Sequence, residues 1–171
     1  KEKYNGKIEI LCGTEQDYYS EMNTADYDYV IGSVHYVKFG NEYVHIDNTP
    51  KRLRDAVSKY CNGDPYSFAE KYYSLVSDVV NKTKADIIGH FDLITKFIES
   101  DKLFDEDNER YITASSKALD ILLKTGKPFE INTGAVSRGY RSSPYPSKRI
   151  LSYIAEHNGS VILSSDSHSK N

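Results

Sequence analysis

Five short apolar runs punctuate this chain: KIEILC (7–12), YDYVIGSV (27–34), ADIIGH (85–90), FEIN (129–132) and VILSS (161–165). Runs of four to eight residues bounded by polar or turn residues read as strands, and most of these are separated by amphipathic stretches long enough for helices. The segment at 49–63 offers Thr49 as N-cap and Pro50 at the first helical position, followed by a stripe of Leu53, Ala56, Val57 and Tyr60. Asp64 and Pro65 repeat the device at 64–84, with Phe68, Ala69, Tyr72, Val76, Val79 and Val80 turned inward. Two more helices are predicted at 113–126, closed by Gly126, and at 146–159, with Gly159 past its end. Strands alternating with helices imply βα units around a parallel sheet, with strands covered on both faces. The predicted class is α/β.

Composition narrows the function. A chain of 171 residues buries one sizeable core, so 1–171 reads as a single domain. A net charge of -3 disfavours a nucleic-acid partner, which calls for a basic patch. No apolar run approaches the roughly 20 residues a membrane helix needs, and the opening KEKYNGK carries no apolar leader region. Cys12 and Cys61 form neither a CxxC pair nor a disulfide framework, which favours a reducing, cytoplasmic setting. Nothing in the sequence fixes an oligomeric state.

Chemistry-bearing residues fall at one topological position. Glu15 follows the first apolar run, His35 the second and His90 the third; Asn132 ends the fourth, and Asp166 and His168 follow the fifth. Carboxyl ends of parallel strands converge on one face in a closed βα barrel, whereas an open doubly wound sheet concentrates its site at one switch point. Imidazoles and carboxylates without a thiolate suit a borderline divalent cation. Such a cluster generates a nucleophile at neutral pH and neutralises phosphoryl charge. Taken singly, His35 and His90 suit packed core histidines and Glu15 a solvated loop acid; their shared position sets them apart from His45, read as a half-exposed strand residue, and His157, read as a helix C-terminal residue. The stretch NTGAVSRGYRSSPYPSKR adds a long basic loop at the same end. Arg138 there is the candidate for a ligand contact, while Lys148 and Arg149 are expected to face solvent on the following helix.

Together, YVIGSVHYV, DIIGHFDLITKF, FEINTGAVSRGYRSSPYPS and ILSSDSHS resemble the histidinol-phosphate phosphatases of the PHP (polymerase and histidinol phosphatase) superfamily. The resemblance runs over nearly the whole chain, and GSVH, GHFD and SDSH are specific as a set. It implies a distorted (β/α)7 TIM-like barrel with up to three divalent ions, Zn, Mn or Fe. It also implies hydrolysis of a small phosphate ester, L-histidinol phosphate, in histidine biosynthesis, by attack of a metal-bound hydroxide on phosphorus. By motif, Glu15 corresponds to a bridging carboxylate, and His35 and His90 to ligands of different ions. Asp166 and His168 correspond to a closing pair of ligands, also catalytic, the acid being placed to protonate the leaving alkoxide. Arg138 corresponds to a phosphate clamp and Asn132 to a pocket residue; Asp92 supports a ligand from behind or meets the substrate's amine. Family members open with a His-x-His strand and continue past the SDSH motif, and neither feature is present. The expectation is therefore of a partial domain, with the isolated chain binding metal incompletely and hydrolysing poorly. Other substrates within the superfamily (a protein tyrosine phosphate or nucleic acid) and a catalytically incomplete fragment are the alternatives.

Overall fold

Helix boundaries in the computed structural model, which describes residues 2–168, follow the capping chemistry. Helix α1 (Pro50–Cys61) starts where Thr49 accepts a hydrogen bond from the Arg52 amide, and it ends at Asn62 in the left-handed region. Helix α2 (Pro65–Thr83) starts where the Asp64 carboxylate accepts from the Tyr66 amide. Helix α3 (Glu109–Leu123) begins four residues earlier than its apolar stripe suggested, because Asn108 caps it by accepting from the Arg110 amide. Helix α4 (Gly134–Ser137) is a single turn inside the long basic loop, and α5 (Lys148–Glu156) follows Ser147.

Five parallel strands form the main sheet: β1 (Gly13–Asp17), β2 (Tyr29–Ser33), β5 (Ile87–Ile88), β6 (Phe129–Asn132) and β7 (Val161–Ser164), side by side in that order. Strand order follows chain order without a reversal, so right-handed crossovers bring every connection to the same face. That is the winding of a βα barrel, and it excludes the switch point of a doubly wound sheet among the described strands. Strands β3 (Tyr36–Phe39) and β4 (Glu42–His45) form a separate antiparallel hairpin around Gly40, whose φ of 58° suits its turn.

The core lies between helices and sheet. Phe68, Tyr72, Tyr73, Tyr111, Leu119, Leu122, Phe129 and Ile150 are all essentially inaccessible to solvent, and each such apolar side chain contributes about 1.5–3 kcal/mol through burial. Gly32 on β2 permits close approach of α2: a Cβ there would lie 2.6 Å from Thr83 Oγ1 and 2.7 Å from Ala85 Cβ. Buried tyrosines bring their hydroxyls with them, and Tyr73 and Tyr111 satisfy one another at 2.6 Å across α2 and α3.

Two strand expectations need correction. The first strand is GTEQD, not KIEILC: Ile8 and Leu11 are largely exposed, and the ladder to β2 runs from Gly13 to Asp17. Strand β7 is not covered on both faces. Among the described strands it pairs with β6 alone, and Leu163 on its face is 80% exposed. Arg149 also departs from its expected solvent-facing place, since it donates to Ser115 Oγ at 3.3 Å and lies over the Tyr111 ring.

Asp64 ties α2 to α3 and carries a stability prediction. Besides capping α2, its carboxylate accepts from Ser67 Oγ at 2.6 Å and from Arg110 Nη1 at 2.8 Å. The hydrogen bonds from Ser67 and Arg110 hold its pKa down to about 2, from an ordinary 3.8. Asp64→Ala is expected to cost about 1 kcal/mol in denaturant melts near neutral pH. Because the folded-state pKa is depressed, the Asp64 contribution is complete above the unfolded value near 3.8 and is lost as pH falls through about 2. Wild type and variant should therefore converge in stability across that window.

Candidate metal centre

Glu15, the central residue of β1, occupies the middle of the site. Its Oε1 accepts a hydrogen bond from Ser33 Oγ at 2.7 Å. The same oxygen lies 2.9 Å from His90 Nε2 and 3.5 Å from His35 Nε2. His35 follows β2 and His90 follows β5, so adjacent strands deliver the three groups. The two imidazole rings meet edge to face at 4.9 Å between centroids. One ligand atom from each of Glu15, His35 and His90 lies within 4.8 Å of the others.

Two acids the sequence reading passed over hold these histidines in place. Asp17, two residues along β1 from Glu15, accepts from the His35 amide at 2.9 Å, and its Oδ2 lies 3.3 Å from His35 Nδ1. Glu130, buried in β6, accepts from the His90 amide at 2.8 Å. A carboxylate against the far nitrogen of an imidazole, as Asp17 is to His35, fixes its tautomer and orientation. The Glu15-x-Asp17 spacing along one strand and an acid inside the apolar FEIN run were the available signals.

The charges of this cluster support one another. Burial opposes ionisation of Glu15, but the hydrogen bond from His90, the charges of His90 and His35 and the bond from Ser33 outweigh it and bring its pKa down to about 2. Burial likewise opposes charge on His90, yet the hydrogen bond to Glu15 and the charges of Glu15 and Glu130 push it up to about 9. The chemistry of the donors fits a divalent cation: two imidazoles and a carboxylate converge, and a cation would replace the protons that now balance Glu15. His90 Nδ1 is buried without a hydrogen-bond partner among the described residues.

Asp166 and His168 lie after β7, with their side chains in mutual contact at 3.0 Å. Asp166 has a backbone φ of 45°, in the left-handed region that Asp tolerates better than most residues. Arg138 grips it twice, donating to its carbonyl at 2.9 Å and to Oδ2 at 2.8 Å. Burial raises the Asp166 pKa, but the Arg138 bond and charge and bonds from His168 and Asn132 bring it below the ordinary range. Gly134 makes this close packing possible, since a Cβ there would lie 2.5 Å from Asp166 Oδ2. Asn132 is buried and accepts from the Gly134 amide at 2.9 Å, orienting the turn that carries Arg138.

Both groups line one cavity of about 290 Å³, shared with Asp47, Leu93, Lys96, Ala135, Tyr140 and Tyr145. The structure thus places Glu15, His35, His90, Arg138, Asp166 and His168 on one wall system, with the first three forming the tight ligand group. Asp92 is elsewhere. It is 0% exposed and its Oδ2 accepts from the Ser147 amide at 2.8 Å, which gives it no access to a ligand in the cavity. His45 packs against Tyr36 at 4.1 Å between ring centroids, and His157 stacks on Tyr153 at the end of α5. Larger by volume is an open groove of about 400 Å³ between α2 and α3, remote from these residues.

Parallel strands in chain order, with imidazoles and carboxylates gathered at their carboxyl ends, define an α/β protein with a candidate divalent-metal site. No family profile matches the chain. It is, however, 30% identical over 178 residues to a Schizosaccharomyces pombe protein named probable histidinol-phosphatase, covering 98% of this chain and 56% of the relative. A Deinococcus radiodurans protein of the same name is 26% identical over 181 residues, covering 98% of this chain and 61% of the relative. A solved Listeria monocytogenes structure, described as a candidate histidinol phosphatase, superposes with a TM-score of 0.69 at 19% identity. That match covers 83% of this chain and 54% of the other. Over nearly its whole length the chain is thus similar to proteins named histidinol-phosphatase. It spans between half and two thirds of the length of these relatives. Among the described residues, no helix is long and apolar enough to cross a membrane.

Proposed function

We propose that the protein is a metal-dependent phosphomonoesterase that hydrolyses L-histidinol phosphate to L-histidinol and inorganic phosphate, a cytoplasmic step of histidine biosynthesis. The observation that carries this reading is the single cavity holding both the Glu15–His35–His90 group and the Arg138–Asp166 pair. Kinship with proteins named histidinol-phosphatase supports the substrate, and the PHP-type motifs GSVH, GHFD and SDSH support a centre of up to three ions, Zn, Mn or Fe.

Glu15, His35 and His90 would hold the first cation, and Asp166 and His168 complete the ligand set from β7. Bound divalent ions supply a nucleophile at neutral pH and neutralise charge on the phosphoryl group. Arg138 takes the phosphate through the donors it does not spend on Asp166. Asp166, ionised in its pair with Arg138, would take a proton from the attacking water and return it to the leaving alkoxide, and Asn132 holds the turn on which Arg138 rides. A net charge of -3 favours a small ester over a nucleic acid.

The test is release of inorganic phosphate from histidinol phosphate by the full-length protein. Exhaustive chelation is expected to lower turnover at least 100-fold, and added Mn or Zn to restore it. Turnover that persists in the chelated, metal-free protein sinks the metal-dependent reading; a metal-loaded protein that prefers other phosphomonoesters sinks the substrate.

A further inference from the structure

Three carboxylates, Glu15, Asp47 and Asp166, stand on the wall of the 290 Å³ cavity. A phosphate dianion brought among them would draw on the bound cations and on Arg138, which is already engaged with Asp166, so a further cationic side chain on the wall adds to its hold. The sequence supplies it six residues after His90. The chain leaves β5, makes a tight 3-10 turn at Leu93–Thr95 whose three side chains are buried, and returns Lys96 to the cavity.

Lys96 is set in place and not left to wander. Its side chain is 15% exposed, its Nζ donates to the Asp47 carbonyl at 2.9 Å, and it lies 3.4 Å from Asp47 Oδ2. It also sits 4.7 Å from the centroid of the Tyr140 ring. An ammonium has three donors, and the two hydrogen bonds to Asp47 occupy two, leaving one for a ligand. Tyr145 lines the same cavity, is 2% exposed, and its hydroxyl has no hydrogen-bond partner among the described residues. A buried tyrosine hydroxyl normally finds a partner, so an orphan on a cavity wall marks a place for a ligand oxygen. Arg138 retains donors beyond the two it spends on Asp166.

We infer that Lys96 and the Tyr145 hydroxyl form, with Arg138, a phosphate-holding subsite in which Asp47 positions the lysine. The inference rests on the phosphate-ester reading of the cavity and adds the residues that take the ester's non-bridging oxygens. Lys96 and Tyr145 are specificity residues for a tetrahedral dianion, and Asp47 acts through Lys96. Two donors facing a ligand of this size favour a terminal phosphate over a diester, which carries one charge less.

The experiment is calorimetric titration of inorganic phosphate into the full-length, Mn-loaded protein and its variants, with thermal melts beside it. Lys96→Met is expected to weaken phosphate binding at least tenfold and Lys96→Arg by no more than about threefold. Tyr145→Phe, which removes one partnerless hydroxyl and no protein–protein hydrogen bond, is expected to weaken it about threefold. It decides the question even if Lys96→Met loses the fold. Unchanged affinity in Tyr145→Phe and in a folded Lys96→Met overturns the subsite while leaving the phosphatase reading intact. Wild-type protein that binds phosphate but leaves histidinol phosphate unhydrolysed fails the proposed substrate and keeps the subsite. Wild-type protein with no phosphate affinity overturns both.

Discussion

Glu15→Gln should lower metal-supported phosphate release by about three orders of magnitude or more, with the fold retained. The substitution keeps the shape of the side chain and one acceptor oxygen, so Ser33 still has a partner. What it removes is the negative charge that His90 and His35 both face at 2.9 and 3.5 Å. Glu15 is ionised at any working pH, because its histidine neighbours bring its pKa to about 2 against the opposing effect of burial. A neutral amide cannot bridge cations or carry their surplus charge. Losing even part of the several kcal/mol that metal-ion charge stabilisation supplies corresponds to about a thousandfold in rate. The direct readout is bound metal, measured by elemental analysis after gel filtration, which should fall with the activity. A variant that keeps both its metal and a tenth of its turnover would remove Glu15 from the centre.

How this site was legible in the sequence depends on what fixes each residue. His35, His90 and Asp166 sit just past apolar strands, and strand ends are marked by the change from apolar to polar residues. Helices α1 and α2 were legible to the residue at their starts because Thr49–Pro50 and Asp64–Pro65 are local signals: the cap and the proline act on the same turn they define. Strand β1 was not, and the reason is functional. KIEILC has the β propensity, but the segment that pairs with β2 is GTEQD, whose Glu15 and Asp17 face the two histidines. Pairing and burial override a propensity that spans only about 1 kcal/mol, and conflicts between local preference and final structure gather at functional sites.

The residues missed altogether are those that reach the cavity through tertiary structure. Lys96 sits in GHFDLITKF like any solvated lysine, and only the buried turn at Leu93–Thr95 brings it to the wall. Asp47 follows the hairpin β3–β4, a unit the sequence disclosed weakly because its strands are short and half exposed. Five parallel strands in chain order match the winding expected of a barrel. The exposed face of β7 was unforeseen, because an apolar run such as VILSS reads as covered on both faces.

Asp92→Ala should destabilise the protein by about 1–3 kcal/mol, and Asp92→Asn by distinctly less. The Asp92 carboxylate is fully buried, and its Oδ2 receives the amide of Ser147, the residue that opens α5. Its backbone carbonyl also holds Thr95, so the loop after β5 is joined to the start of α5 at this one residue. Alanine leaves the Ser147 amide without an acceptor, and an unpaired buried donor costs that much. Asparagine retains an acceptor oxygen and is spared the cost of burying a charge. Burial raises the Asp92 pKa above its ordinary 3.8, with the charge of Arg141 and the bonds from Ser147 opposing. The folded state therefore binds this proton more tightly than the unfolded state does. Wild-type stability relative to Asp92→Asn is thus greatest below pH 3.8 and declines as pH rises through the raised folded-state value. This slope is opposite in sign to the one expected for Asp64, so melts of both variants over one pH series test the two assignments against each other. Turnover per folded Asp92→Asn molecule should stay within about threefold of wild type, because the carboxylate is shut away from the cavity. A raised KM for histidinol phosphate at unchanged stability would instead put this acid on the substrate's amine.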